Sequence, residues 1–100
     1  MGSNEIIELI NRRKRQILVH SFLYYQMNTS VISDHTFDMW SKELATLLQD
    51  YPEESKQTVY YEEFKGFDGS SGYDLPFYYP SVQQAGTALL NYRKKKTSGN

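Results

Sequence analysis

Phe22-Leu-Tyr-Tyr-Gln-Met-Asn-Thr-Ser-Val-Ile-Ser-Asp-His-Thr-Phe-Asp38 holds the change of period on which the fold turns. Apolar residues enter and leave it at helical spacing. Asn28-Thr29-Ser30 interrupts them, because these side chains compete with helical backbone hydrogen bonds. Val31 and Ile32 give the turn an apolar cover. Ser33 is the N-cap of the second helix, with Ile32 in the staple position and Asp34 adding negative charge to the first turn. The stretch predicts helix, polar turn, helix, and so short a connection makes the two helices antiparallel neighbours.

Working outward, the upstream helix starts near Asn4 as N-cap and runs without Gly or Pro to Met27. Ile6, Ile10, Ile17, Ser21 and Tyr24 make its stripe, with Ile7, Leu18, Phe22 and Tyr25 beside it. Arg12-Arg13-Lys14-Arg15 wraps more than one turn and reads as a solvated face, with nucleic-acid backbone contact as the alternative. Downstream, Phe37, Trp40, Leu44, Leu47, Leu48 and Tyr51 recur at three- and four-residue steps until Pro52 ends the helix.

Beyond Pro52, Thr58–Phe64 is rich in β-formers and reads as a strand. Lys65–Gly72 is dense in turn residues, and Tyr73–Tyr79 is the returning strand, restricted by Pro76 to an edge. Pro80 opens a third helix with Val82, Ala85, Leu89 and Tyr92 as its stripe and Arg93–Lys96 at its end. The fold class is mainly α, with α+β as the alternative. A single domain, 1–100, comprises the helical hairpin (4–52), a loop or short β-hairpin (55–79) and a C-terminal helix (80–96).

The chain has 100 residues, 39% hydrophobic and 23% charged, the composition of a globular domain. Net charge is -1, so no overall basic field advertises nucleic acid. Cysteine is absent, which excludes disulfides and thiolate chemistry and fits a reducing cytoplasm. No apolar run reaches membrane-spanning length. Met1-Gly2-Ser3 reads as a cloning scar and Thr97–Asn100 as a frayed tail. The excess is aromatic: nine Tyr, five Phe and one Trp, residues suited to half-buried sites and interfaces.

Three groupings bear on chemistry. The Gly66–Gly72 loop matches neither a phosphate loop nor a dinucleotide fingerprint, since Lys65 precedes the glycines and no helix follows them directly. His20 and His35 lie on different helices without the spacing of a metal ligand set. At the hairpin turn, Tyr24 and Tyr25 close one helix, while Asp34 and Asp38 share a face of the next beside Phe37. Rings that can stack on a flat cation, with carboxylates to hold a sugar or amide, form a nucleotide-type site; solvated aspartates beside core aromatics are the bland alternative.

The Phe22–Asp38 segment resembles the N-terminal helical hairpin of bacterial NAD-dependent DNA ligases. That family shows a Tyr-Tyr or Tyr-His pair, a polar turn, then Ile-Ser-Asp-x-x-Tyr-Asp. Trp40–Glu53 is similar to the family's second helix with its closing Pro-Glu. In those ligases the hairpin grips the nicotinamide mononucleotide (NMN) half of NAD, and a lysine in a separate nucleotidyltransferase domain attacks the pyrophosphate. By that resemblance Tyr24, Tyr25, Asp34 and Asp38 match the nucleotide-gripping residues. Phe37 stands where the family has tyrosine, keeping the ring and losing the hydroxyl. Residues from Ser55 onward carry no part of the resemblance.

The resemblance implies a non-catalytic module, since 100 residues leave no room for the nucleotidyltransferase domain. It would bind NMN, NAD or a protein that handles one, in the cytoplasm, of a bacterial host if phage-encoded. One alternative is a phage-encoded inhibitor or adaptor of a host enzyme, with Tyr60, Tyr61, Phe77, Tyr78 and Tyr79 facing a partner or a second copy. A nucleic-acid accessory role through Arg12–Arg15 and Arg93–Lys96 is the other.

Overall fold

The computed structural model describes residues 2–69 and 75–97. The fold is mainly α: α1 (Ser3–Tyr25), α2 (Asp34–Asp50), a short α3 (Pro52–Ser55) and α4 (Pro80–Thr97). Helix α1 is the central element and packs against the other three. It contributes Ile6, Ile10, Ile17, Leu18, Phe22 and Leu23 to a core that Leu44, Phe64, Leu75, Phe77 and Val82 complete.

The hairpin follows the sequence pattern. Ser33 caps α2, its hydroxyl accepting from the Thr36 amide at 3.1 Å. Asn28 takes a left-handed conformation (φ 52°), which Asn tolerates better than most side chains, and Thr29 N donates to Leu23 O at 2.9 Å to close the end of α1. At its other end α1 begins one residue before Asn4. Its N-cap is Gly2, with no side-chain cap, so Asn4 is helical rather than capping. Pro52 ends α2 as expected and also starts α3 at its first position, where a proline loses no helical donor.

The expected strand at Thr58–Phe64 does not form, and no strand occurs among the described residues. The backbone of this segment is satisfied locally and by side chains of α1. Thr58 N donates to Ser55 O, Phe64 N to Tyr60 O and Phe67 N to Phe64 O, while Val59 N donates to Asn11 Oδ1 at 2.8 Å. With those groups taken, no ladder is left to make. Leu75–Tyr79 likewise turns rather than extends, Phe77 N donating to Leu75 O at 2.8 Å. The rest of the expected returning strand (73–74), the end of the Gly-rich loop (70–72), Met1 and the last three residues of the tail (98–100) lie outside the described residues.

Two further expectations are corrected. In α4 the buried stripe runs through Val82 and Gly86 with Leu89 and Leu90 beside it, leaving Ala85 and Tyr92 exposed. Gly86 sets this rotation: a Cβ there would lie 2.5 Å from the Phe22 ring, so only glycine lets the helix approach so closely. The Arg12–Arg15 run is not one solvated face. Lys14 is fully buried on the same stripe as Ile10 and Ile17. Its ammonium donates to Thr58 Oγ1 at 2.7 Å and Val59 O at 2.8 Å, and lies 5.4 Å from the Phe64 ring centre. Burial lowers its pKa from 10.5 to about 8, opposed by the Glu63 carboxylate.

Candidate functional site: a cleft at the hairpin end

The open end of the α1–α2 hairpin forms a cleft of about 480 Å³. His20, Tyr24 and Tyr25 come from the last two turns of α1, Ser30, Ile32 and Ser33 from the turn, and Asp34, His35, Phe37 and Asp38 from the start of α2. All five residues singled out in the sequence, Tyr24, Tyr25, Asp34, Phe37 and Asp38, line this one space.

Its aromatic wall is braced from behind. Tyr24 and Tyr25 meet edge to face, centroids 4.9 Å apart at 81°. Tyr25 stacks in turn on buried Phe77 at 5.6 Å and 22°. Phe77 therefore faces inward, not toward a partner, and ties the 75–79 loop to the cleft. Phe37 packs half-buried against the core, while Tyr24 is 55% exposed at the rim. Tyr24 and Tyr25 are thus set at a definite angle to each other, and both are exposed.

The polar side is acidic. Asp38 Oδ2 accepts from Lys42 Nζ at 2.9 Å, an exposed pair one turn apart. Asp34 makes no ion pair or side-chain hydrogen bond among the described residues. Among the described residues, no lysine or arginine lines the cleft.

His20 is a wall residue not expected there from the sequence, where it was weighed only as a metal ligand. It stands one turn before Tyr24, and that four-residue spacing was the available signal. Its ring tilts against Trp40, centroids 5.5 Å apart at 54°, and burial lowers its pKa below the ordinary 6.5. On Trp40 the Arg13 guanidinium also rests, 5.7 Å from the ring centre, while donating to Glu43 and to Gln16 Oε1. His35 joins His20 on the cleft wall, yet no cluster of three or more metal-ligating groups exists among the described residues.

A second cleft of about 430 Å³ lies over Lys14, walled by Phe64, Lys65 and Gly66 among others. The Lys14 ammonium is committed to Thr58 and Val59 rather than presented to a ligand. With Lys14 buried and Arg13 paired, only Arg12 and Arg15 of the basic run are exposed. Of the partner-facing tyrosines, Tyr78 is 62% exposed, whereas Tyr60, Tyr61 and Tyr79 are half-buried. The Tyr79 hydroxyl donates to Glu63 Oε2 at 2.9 Å, which raises its pKa.

No described helix is long and apolar enough to cross a membrane. Comparison of the chain with protein-family models, with curated proteins and with solved structures finds no match in any of the three.

Proposed function

We propose that the chain is a non-catalytic binding module whose hairpin-end cleft takes a nicotinamide nucleotide. One observation carries this reading: Tyr24, Tyr25, Phe37, Asp34 and Asp38, scattered over 15 positions, converge on a single space of about 480 Å³. That volume lies within the range of small-molecule sites, about 300–1,000 Å³. The chemistry is complementary as well. Two tyrosine rings and a phenylalanine offer stacking surface, and the carboxylates can accept from ribose hydroxyls or a carboxamide.

Isothermal titration calorimetry with NMN and NAD tests the reading. Saturable heat, lost in Tyr25→Ala and reduced in Asp38→Ala, is expected. No heat at millimolar ligand overturns it.

A second reading has its own support. Tyr24, Tyr78, Tyr92 and Met39 are all more than half exposed, large apolar groups of the kind that anchor protein interfaces. In it the chain docks another protein, as an inhibitor or adaptor, or a second copy of itself. Sedimentation at several concentrations separates the second copy from the rest: a concentration-independent monomer mass removes it.

A further inference from the structure

We infer that the cleft over Lys14, built from the end of α2, α3 and residues 61–68, is a second binding site whose ligand is a small aromatic oxyanion, a flat ring carrying a carboxylate or a phosphate.

The base of this cleft holds a charge that the protein does not balance. Lys14 is fully buried, yet it makes no ion pair among the described residues. Its two acceptors, the Thr58 hydroxyl and the Val59 carbonyl, are neutral. They satisfy hydrogen bonds and leave the positive charge in place, so an anion brought near it is favoured. Glu63 supplies part of that field without pairing directly. Lys14 therefore acts as fixed charge beneath the cleft rather than as a contact.

The walls supply the contacts. Lys56, at the end of α3, and Lys65, in the loop, both line the cleft and are both exposed. The exposed pair of Lys56 with Glu53, at 3.6 Å, does little to hold that ammonium back. The described lining thus carries three lysines against one acid, Asp68.

The remaining wall is apolar. Phe64 and Phe67 meet edge to face, centroids 5.3 Å apart at 75°, and Leu48 of α2 lines the same space. A flat ring gains apolar burial and ring contact here, which a bare inorganic ion cannot. The cleft volume of about 430 Å³ suits a small molecule.

Lys14 separates this site from casual binding to surface lysines. An oxyanion held in the cleft favours the ammonium and raises the Lys14 pKa from about 8 toward the ordinary 10.5. Lys56 on α3 and Tyr61, Glu63, Lys65 and Asp68 in the loop are the other titrating neighbours, present in free and bound protein alike. The described lining residues of α2, Ala45, Leu48 and Gln49, are neutral.

Amide-shift titrations of the intact protein with phenylacetate, neutral phenylacetamide, phenyl phosphate and inorganic phosphate test this. Saturable shifts in residues 52–56 and 61–68 are expected with an aryl anion, about fivefold or more tighter than with phenylacetamide. Inorganic phosphate should bind more weakly than phenyl phosphate, and the tighter aryl anion tells which acid the site prefers. A variant combining Lys56→Gln and Lys65→Gln, both at exposed positions, should weaken that anion by about fivefold or more. In wild type, the Lys14 amine followed with isotope-labelled lysine should titrate about half a unit or more higher when the site is saturated. Four results overturn the inference: no saturation by either aryl anion at millimolar concentration, equal binding of acid and amide, an unmoved Lys14, or shifts confined to His20–Asp38.

Discussion

The Lys14 ammonium donates to Thr58 Oγ1 at 2.7 Å, joining the middle of α1 to a loop 44 residues downstream. The neighbouring Val59 carbonyl accepts a second hydrogen bond from it at 2.8 Å. Around this pair residues 58–59 are tied to α1 instead of entering a strand. The lysine stem continues the apolar stripe, and its charged end organises the loop that covers it.

Lys14→Met should change the pH dependence of stability. The native pKa of about 8 lies below the ordinary 10.5, so between these values the unfolded chain binds more protons than the native one. Stability therefore rises with pH across that window. Between pH 7.5 and 10 the wild type should gain about 2 kcal/mol relative to the methionine variant. Urea unfolding at both pH values measures it, and a flat difference would sink the account.

The hairpin was legible because its signals are local: a polar break, a serine cap and two stripes of helical period. The convergence of Tyr24, Tyr25, Asp34, Phe37 and Asp38 follows from that hairpin, which sets the end of α1 beside the start of α2. What escaped was set by distant partners. Thr58–Phe64 has strand composition, but the side chains of Asn11 and Lys14 take the N–H and C=O of Val59 within it. Lys14 itself reads as solvent-facing beside three arginines, although it falls between Ile10 and Ile17 on the buried stripe. Phe77 could not be assigned to the cleft, since only the turning 75–79 loop carries it beneath Tyr25.

Gly86→Ala should destabilise, against the usual effect of removing a helical glycine. Alanine gains about 1 kcal/mol in helix propensity. Its Cβ would lie 2.5 and 2.9 Å from two ring carbons of buried Phe22, and a packed ring cannot swing aside. A net loss of about 1–2 kcal/mol is expected. In the Gly86→Ala background, Phe22→Leu should do less harm than in the wild type, because it relieves the clash. Simple additivity in that double-mutant cycle would show that the ring is not the obstacle.

Ser33→Ala removes the side-chain cap of α2 and should lower stability by about 1 kcal/mol, or roughly 4–8 °C in Tm for a domain of this size. Ser33→Gly should lose only a few tenths of a kcal/mol, because glycine is itself tolerated at helix N-caps. The Ser33 hydroxyl's one backbone partner is Thr36 N, so the Ala and Gly variants separate capping from general packing. Equal losses in the two variants would argue against a capping role.

His20→Gln should make the protein less sensitive to acid. Burial lowers the native His20 pKa, so below the ordinary value of 6.5 the unfolded chain takes up a proton that the native cleft resists. The group therefore contributes stability that is fully present above pH 6.5 and lost as pH falls through the depressed native pKa. Glutamine is close in size and does not titrate. His35, Asp34 and Asp38 remain in both proteins and cancel to first order in the difference. Denaturant midpoints at pH 5 and 7.5 should converge or cross, the wild type losing more on acidification than the variant. A wild type that gains relative to the variant as pH falls would mean that the imidazolium is favoured in the cleft.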